Sequence, residues 1–302
     1  MGFRLLLAVS ALLLVALAGA AIAVDRGGWQ RERDLIWPVE YANPDIVALG
    51  DDGWRAYLMS PDGILSARST DGKSFVLEEG IRVQGQHHAL ARLDDGRLRI
   101  YYSTATSGGV VSAVSEDGLE FTPEPGTRLG DKPRERPIHL SVIRAGSGWR
   151  MYYDADASQP GEMAPDWRGI RSAYSPDGLD WRRERGWRIT KKADGLRAAS
   201  LVWSPFAERR GGKLDLLFTV ETSRRPKALA GIWRARSKNG RKFEVVRGPE
   251  LGLDPQVKNP RPGPGGLSGL PQDPFAISVE GGRRLFYWEA RKGNFSAFEE
   301  SR

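Results

Sequence analysis

Short apolar runs, rich in aromatic and β-branched residues, alternate with tight polar turns along almost the whole chain. Five stretches share this layout: NPDIVALGDDGWRAYLMS from Asn43, QHHALARLDDGRLRIYYS from Gln86, PIHLSVIRAGSGWRMYYDA from Pro137, ASLVWSPFAERRGGKLDLLFTVE from Ala199 and DPFAISVEGGRRLFYWEA from Asp273. Apolar runs broken by D-G, N-G or G-G pairs predict antiparallel hairpins. Each stretch is followed by a second shared piece, G-x-x-[SR]-A-x-S-x-[DN]-G-x-x-[FW]. It reads GILSARSTDGKSF from Gly63, GVVSAVSEDGLEF from Gly109, GIRSAYSPDGLDW from Gly169 and GIWRARSKNGRKF from Gly231. Its S-x-D-G segment predicts a turn between two further strands, with Gly supplying positive φ and Ser and Asp bonding nearby backbone N–H groups.

Each unit therefore supplies four strands. Its serine recurs at Ser69, Ser115, Ser175 and Ser237, in steps of 46, 60 and 62 residues. Four-stranded cassettes at such a period predict propeller blades. The fifth copy, GNFSAFEESR from Gly293, stops short, and DRGGWQRERDLIW from Asp25 resumes the pattern. The all-β chain is thus expected to form a five-bladed propeller of four-stranded antiparallel blades. The strand around Trp29–Trp37 should complete the last blade beside Phe295 and so leave no open edge.

Composition adds a compartment. Residues 1–23 read as a signal peptide, with Arg4 ahead of an apolar run and Ala21-Ile22-Ala23 as the cleavage site. Left uncut, the segment is long enough to anchor the chain in a bilayer. Residues 24–302 form the single propeller domain, expected as a monomer in a bacterial periplasm or at the cell surface. The absence of cysteine removes disulfides and thiolate chemistry. A net charge of +7 rests on an arginine bias, which suits either drift or attraction to anionic glycans or headgroups. Without a concentrated basic run, nucleic acid is not an expected partner.

Topology places the strand 1–2 turns and the S-x-D-G turns on one face, and the longer connections on the other. The long ones are Ser103–Gly108, Asp131–Arg136, Asp154–Arg168, Glu221–Ala230 and the proline-rich Gly252–Gln272, expected as a flap. Starts of strand one on that face contribute Asn43, Asp45, Gln86, His87, His88, Arg136, His139, Arg197 and Asp273. Ends of strand two contribute Asp154, Glu221 and Glu289. All three histidines fall in this set. His87 and His88 point to opposite sides of a strand, so at most one joins His139.

The repeated A-x-S-x-D-G-x-x-[FW], together with X-Pro pairs opening inner strands, resembles the five-bladed glycoside hydrolases of the arabinanase, levansucrase and invertase superfamily. The resemblance covers nearly all of the mature chain. It implies a sugar in an axial funnel and acidic residues on inner strands, the first in an Asp-Pro of blade one. Here that place reads Asn43-Pro44, and blade three reads Arg136-Pro137-Ile138-His139, with Asp273-Pro274 in blade five. The S-x-D-G turn is also similar to the sialidase Asp box, one residue shorter. A sialidase-like hydrolase is thereby a further alternative, against which the blade count argues.

Two function classes follow. A glycosidase needs two carboxylates, about 5–5.5 Å apart for retention or about 6.5–9.5 Å for inversion. Its candidates are Asp45, Asp154, Glu221, Asp273 and Glu289. A non-catalytic propeller would instead bind a glycan or a protein through Asn43, Gln86, His87, His88, Arg136, His139 and Arg197, with Tyr101, Tyr153 or Trp203 as faces for sugar. No cofactor is expected. Among metals, the residue types suggest Ca²⁺ on Asp45, Asp273 and backbone carbonyls, or a transition metal on His87, His88 and His139.

Overall fold

A computed structural model describes residues 28–104, 109–130, 135–156, 167–222, 229–263 and 266–301. The expected signal segment, Asp25 and most of the loops Ser103–Gly108, Asp131–Arg136, Asp154–Arg168 and Glu221–Ala230 lie outside the described residues.

The cassettes fold as five antiparallel blades. Their inner strands are Ala42–Ala48, Gln86–Arg92, Arg136–Ala145, Leu201–Arg210 and Gln272–Val279. In blades three and four the outer strand is broken into two short pieces, both paired with strand three. Blade five is built from both ends of the chain. Gln30 and Arg31 pair with Phe298 and Ala297, and Trp37 bridges to Asn294. The expected closure therefore holds.

The apolar core is divided into clusters that each span two adjacent blades. Tyr57 packs with Ile100, Tyr101 with Met151, Tyr152 with Phe218, Leu217 with Tyr287, and Phe286 with Leu58. Burial thus works around the ring, between blades, and leaves the axis to polar residues.

Arginine holds the same seams. In strand two, Arg55, Arg99 and Arg150 each fork onto a glutamate of their own outer strand, Glu78, Glu124 and Glu184. Each also donates to the S-x-[DN]-G turn of the next blade, at Asp117 O, Asp177 O and Asn239 O. Two residues on, Tyr57, Tyr101 and Tyr152 donate to the glycine carbonyls of those turns, at 2.7–2.9 Å. A Cβ on Gly118 would lie 2.6 Å from the Tyr57 hydroxyl, so this turn needs glycine for the clasp as well as for its positive φ. Blade five repeats the arrangement across the chain ends. Arg284 forks onto Glu32, Ser296 donates to the same carboxylate, and Arg284 takes the Gly72 carbonyl because Phe286 has no hydroxyl.

Blade four departs from the pattern. Strands three and four of blade five are not joined by such a turn, so no turn carbonyl awaits a blade-four arginine. Asp215 occupies the arginine position and pairs with Arg236 at 2.7 Å on its own blade, while Arg234 pairs with Glu250 at 3.0 Å. Much of the arginine bias is thus spent on seams between blades.

The proline-rich Gly252–Gln272 differs from its expected form. Its described part is a small hairpin, Pro262–Gly263 with Gly266–Leu267, whose Leu267 and Leu270 pack against Ala230. Its buried Leu267 and Leu270 anchor this described part against Ala230.

Removing one partner of a buried, hydrogen-bonded ion pair strands the other charge, at a cost of about 3–5 kcal/mol. Arg99→Ala leaves Glu124 beside Ser112 with its fork gone. We expect a loss of roughly that size in urea-unfolding stability at unchanged m-value. A loss below about 1 kcal/mol, the level of an exposed pair, would show the clasp to be decorative.

Candidate functional site

The five inner strands share one irregularity. Pairing with strand two shifts register between Ala42 and Asp45, Gln86 and Ala89, Ile138 and Ser141, Trp203 and Phe206, and Gln272 and Phe275. At each bulge one non-glycine residue takes positive φ: Asn43 at 50°, His87 at 49°, His139 at 37°, Ser204 at 49° and Asp273 at 52°. Such backbone costs on the order of 1–3 kcal/mol per residue and persists where the surrounding structure enforces it. The bulge turns these five side chains into a polar ring at the head of the axis.

This corrects the sequence alignment of blade three. His139-Leu140, and not Arg136-Pro137, is the counterpart of Asn43-Pro44. Ser204 was missed altogether. Its signal was available, since Ser204-Pro205 parallels Asn43-Pro44 and Asp273-Pro274 as an X-Pro pair on an inner strand.

Asp154, at the end of strand two in blade three, organises the ring from behind. His139 Nδ1 lies 2.9 Å from Asp154 Oδ1, and the Ser204 backbone N–H donates to the same oxygen at 3.0 Å. Ser204 Oγ donates to Asp273 Oδ1 at 2.7 Å. Burial opposes a charge on His139, but Asp154 and then Asp273 outweigh it and hold the imidazole above its usual pKa. Burial also raises the Asp273 carboxyl, against the pull of His139 and Ser204. The side chains of Asn43, Asp45, His88, His139, Ser204 and Asp273 enclose a space of about 30 Å³. That is room for roughly one or two waters.

A far larger cleft of about 730 Å³ lies off the axis over blades one to three. Its lining includes the Pro61-Asp62 turn, Gln84, Gln86, His87, Thr104 and Arg136. The volume falls in the ordinary ligand range. His87 belongs to both the cleft and the ring, and its imidazole meets that of His139 edge-on at 4.8 Å. Burial holds His87 well below its usual pKa, followed by the charges of His139, Arg136 and His88. The bulge between Gln86 and Ala89 breaks the strand alternation, so His88 also comes to His139, lining the axial space with it, and the expectation that at most one of the pair joins His139 is corrected. His88 Nε2 is 3.1 Å from the Tyr57 carbonyl, and burial lowers its pKa to about 4.

The five candidate carboxylates each hold protein partners. Asp45 Oδ2 accepts the Leu90 N–H of blade two at 2.6 Å. Ser141, at the matching position of blade three, accepts Ala207 N–H of blade four at 3.0 Å, so Asp45 is one of a repeated pair of interblade ties. Glu221 is raised by burial and bonded by the Leu267 N–H. Glu289 is buried between Arg31 at 3.6 Å and Lys292 at 3.1 Å. Asp154 and Asp273 share Ser204, which keeps their bonded oxygens within about 10 Å. Asp273 lines the small axial space, whereas Asp154 sits behind His139 and Ser204 and is not part of its lining.

Two further expectations are corrected. Arg197 does not join the ring; its side chain is exposed in the link before blade four, 3.9 Å from Asp194, beside Lys191 and Lys192. Tyr101, Tyr153 and Trp203 are buried and present no face to a sugar. Tyr101 is tied to Gly178, Tyr153 donates to Glu135, and Trp203 packs on His139 at 5.1 Å. Among the described residues, no three His, Asp or Glu side chains stand close enough to hold a metal together.

No protein-family model and no curated protein matches the chain. Solved structures do resemble it. A thermostable family-43 glycoside hydrolase aligns with a TM-score of 0.67 at 13% identity, over 85% of this chain and 88% of that one. An endo-arabinase from Bacteroides thetaiotaomicron gives 0.65 at 11%, over 89% and 98%. A Cellvibrio cellulosa α-L-arabinanase mutant gives 0.59 at 15%, over 86% and 90%.

The buried tie at Asp45 has a measurable signature. Burial lifts this carboxyl to about 7, despite the Leu90 and Ile46 N–H bonds. The folded chain therefore keeps a proton that the unfolded chain releases near pH 4, and stability falls as pH rises from about 4 to about 7. Asp45→Asn keeps an oxygen for Leu90 and removes the titration. Relative to wild type it should gain a few kcal/mol between pH 4 and pH 8 in urea melts; a constant difference across that range would refute the assignment. The chain has the five-bladed propeller fold of these glycoside hydrolases.

Proposed function

We propose that this chain is an exported propeller that binds a carbohydrate without cleaving it. The ligand lies in the off-axis cleft over blades one to three, with His87, Gln86 and Arg136 as polar contacts. Structural neighbours that are glycoside hydrolases support a carbohydrate ligand. The observation that carries the loss of hydrolysis is the placement of the carboxylates. Asn43 stands where the resemblance calls for the first of them, and an amide supplies neither nucleophile nor base. Asp273 lines a space of about 30 Å³ that Asp154 does not reach, and Asp62 is the only carboxylate among the described residues lining the cleft. A glycosidase needs two on either side of one bond.

The competing reading is hydrolysis by Asp273 as acid and Asp154 as base, favoured by their shared hydrogen bonds to Ser204. One experiment separates the two. The purified protein is screened for binding to envelope and plant-type oligosaccharides and for release of aryl-glycoside and oligosaccharide products. Retention of at least one glycan with no turnover above buffer is the expected outcome. Turnover that disappears in Asp273→Asn would establish the hydrolytic reading instead. Absence of any glycan binding would end the carbohydrate reading altogether.

A further inference from the structure

Charge outside the clasps is distributed unevenly around the ring. The connections from strand two to strand three, and from one blade to the next, all leave the sheets on the bulge-bearing face. Four of them, 191–200, 222–230, 253–271 and 290–292, run from the end of blade three to blade five. Counted whole, they carry ten Lys or Arg and two Asp. The connections around blades one to three, 38–41, 61–62, 84–85, 104–108, 131–135 and 157–166, carry six Asp or Glu and two Lys or Arg. One half of the face is therefore basic and the other acidic.

The described bases of the positive half meet solvent. Lys191, Lys192 and Arg197 are exposed around an open depression of about 610 Å³. Lys258 and Arg261 are exposed on the proline-rich connection, and Arg291 on the loop of blade five. Arg291 holds a positive φ of 68°, backbone that glycine would adopt without strain. Arg224, Arg225 and Lys227 lie outside the described residues, and the other seven bases still outnumber the two acids. Of those acids, Asp194 is exposed 3.9 Å from Arg197, while Asp254 is buried against Arg33 at 3.0 Å and Lys292 at 3.1 Å. The field of this half toward solvent is positive. On the turn-bearing face, Arg55, Arg99 and Arg150 are instead neutralised by the glutamates they fork onto.

We infer that the bulge-bearing face over blades four and five docks a polyanionic polysaccharide, one with a carboxylate or sulfate on repeated sugars. Positive groups spread over four connections suit a repeated anion, because a single anion would meet one connection only. A bilayer is the rival partner, and a bilayer-binding surface sets exposed apolar side chains among its bases. Among the described residues, the exposed large apolar side chains are Leu35, Val39, Val76, Leu77 and Ile81, none of which lies in these four connections. The inference goes beyond the cleft reading and does not depend on it, since it uses no residue of the cleft.

Binding of the full protein at low ionic strength tests it with four probes: polygalacturonate, dextran sulfate, uncharged dextran, and phosphatidylglycerol–phosphatidylcholine vesicles. At least one acidic polymer should bind about 10-fold or more tightly than dextran and should weaken with added salt; the tighter of the two identifies the oxyanion. Combining Lys191→Gln, Lys192→Gln and Lys258→Gln should weaken that polymer about 5- to 50-fold. Lys213→Gln, Lys238→Gln and Lys242→Gln remove the same charge from exposed positions on the turn-bearing face and should weaken it less than about 3-fold. Circular dichroism and melting confirm folding. Lys191→Gln with Lys192→Gln, set against Lys238→Gln with Lys242→Gln, replaces any triple that fails.

Equal losses in the two sets of variants assign the binding to overall charge and overturn the surface. Dextran held as tightly as the acidic polymers also overturns it. Vesicles held more tightly than either polymer overturn it in favour of a bilayer. Binding to none of the four probes overturns it outright, while oligosaccharide binding in the cleft, screened separately, stands or falls by itself.

Discussion

A ring of five sheets is stable only if each seam between neighbours is held, because no central core exists to hold them together. Here every seam carries an apolar cluster, and four of the five also carry an arginine that ties two strands of one blade to the turn of the next. The directionality of the fork does what apolar contact cannot: it fixes the angle at which one sheet meets another. The held seams let the ring close, and closure brings the inner strands to one axis. The exception supports the account. Blade four has no turn to reach: Asp215 and Arg234 pair within it, and Arg210 and Glu208 instead reach Glu299 and Arg283 of blade five.

Closure also explains why the axis is polar and strained. With the apolar clusters displaced outward, the heads of the inner strands gain little from burial, and each is free to bulge. The residues at the bulge are Asn, His, His, Ser and Asp. Asn, Asp and His are among the side chains that tolerate left-handed backbone best. Their polarity is therefore set partly by conformation and only partly by chemistry. Asn43 in place of a carboxylate costs the fold nothing, since it suits the same backbone as Asp273 in blade five. A propeller of this kind can lose its acid without losing its ring.

How much of this was legible depended on the range of the interaction. The turn signature is local, so the five cassettes and the split fifth copy could be read from residue spacing, and closure followed. The clasp was also written in the chain, as Arg-x-Tyr in strand two of three blades, but arginine taken as a surface charge concealed it. Register was harder. Proline marks extended backbone without showing which neighbour turns inward, so Arg136-Pro137 drew the eye away from His139 and Ser204 went unnoticed. Burial of Tyr101 and Tyr153 depends on the next blade, at the carbonyl of Gly178 and at Glu135, and no local pattern reports it.

Charge is divided unequally between the two faces of the scaffold. On the turn-bearing face, arginines are matched to glutamates and carbonyls and have little left to offer a ligand. On the other face, the carboxylates are the matched groups: Asp45 to Leu90, Asp154 to His139 and Ser204, and Glu289 to Arg31 and Lys292. Hydrolysis of a glycosidic bond requires acids that meet solvent and substrate, whereas recognition of an anionic substituent requires donors that do. The acids bonded inside the fold serve its frame, and a ligand seated over blades one to three would meet His87 and Gln86 instead.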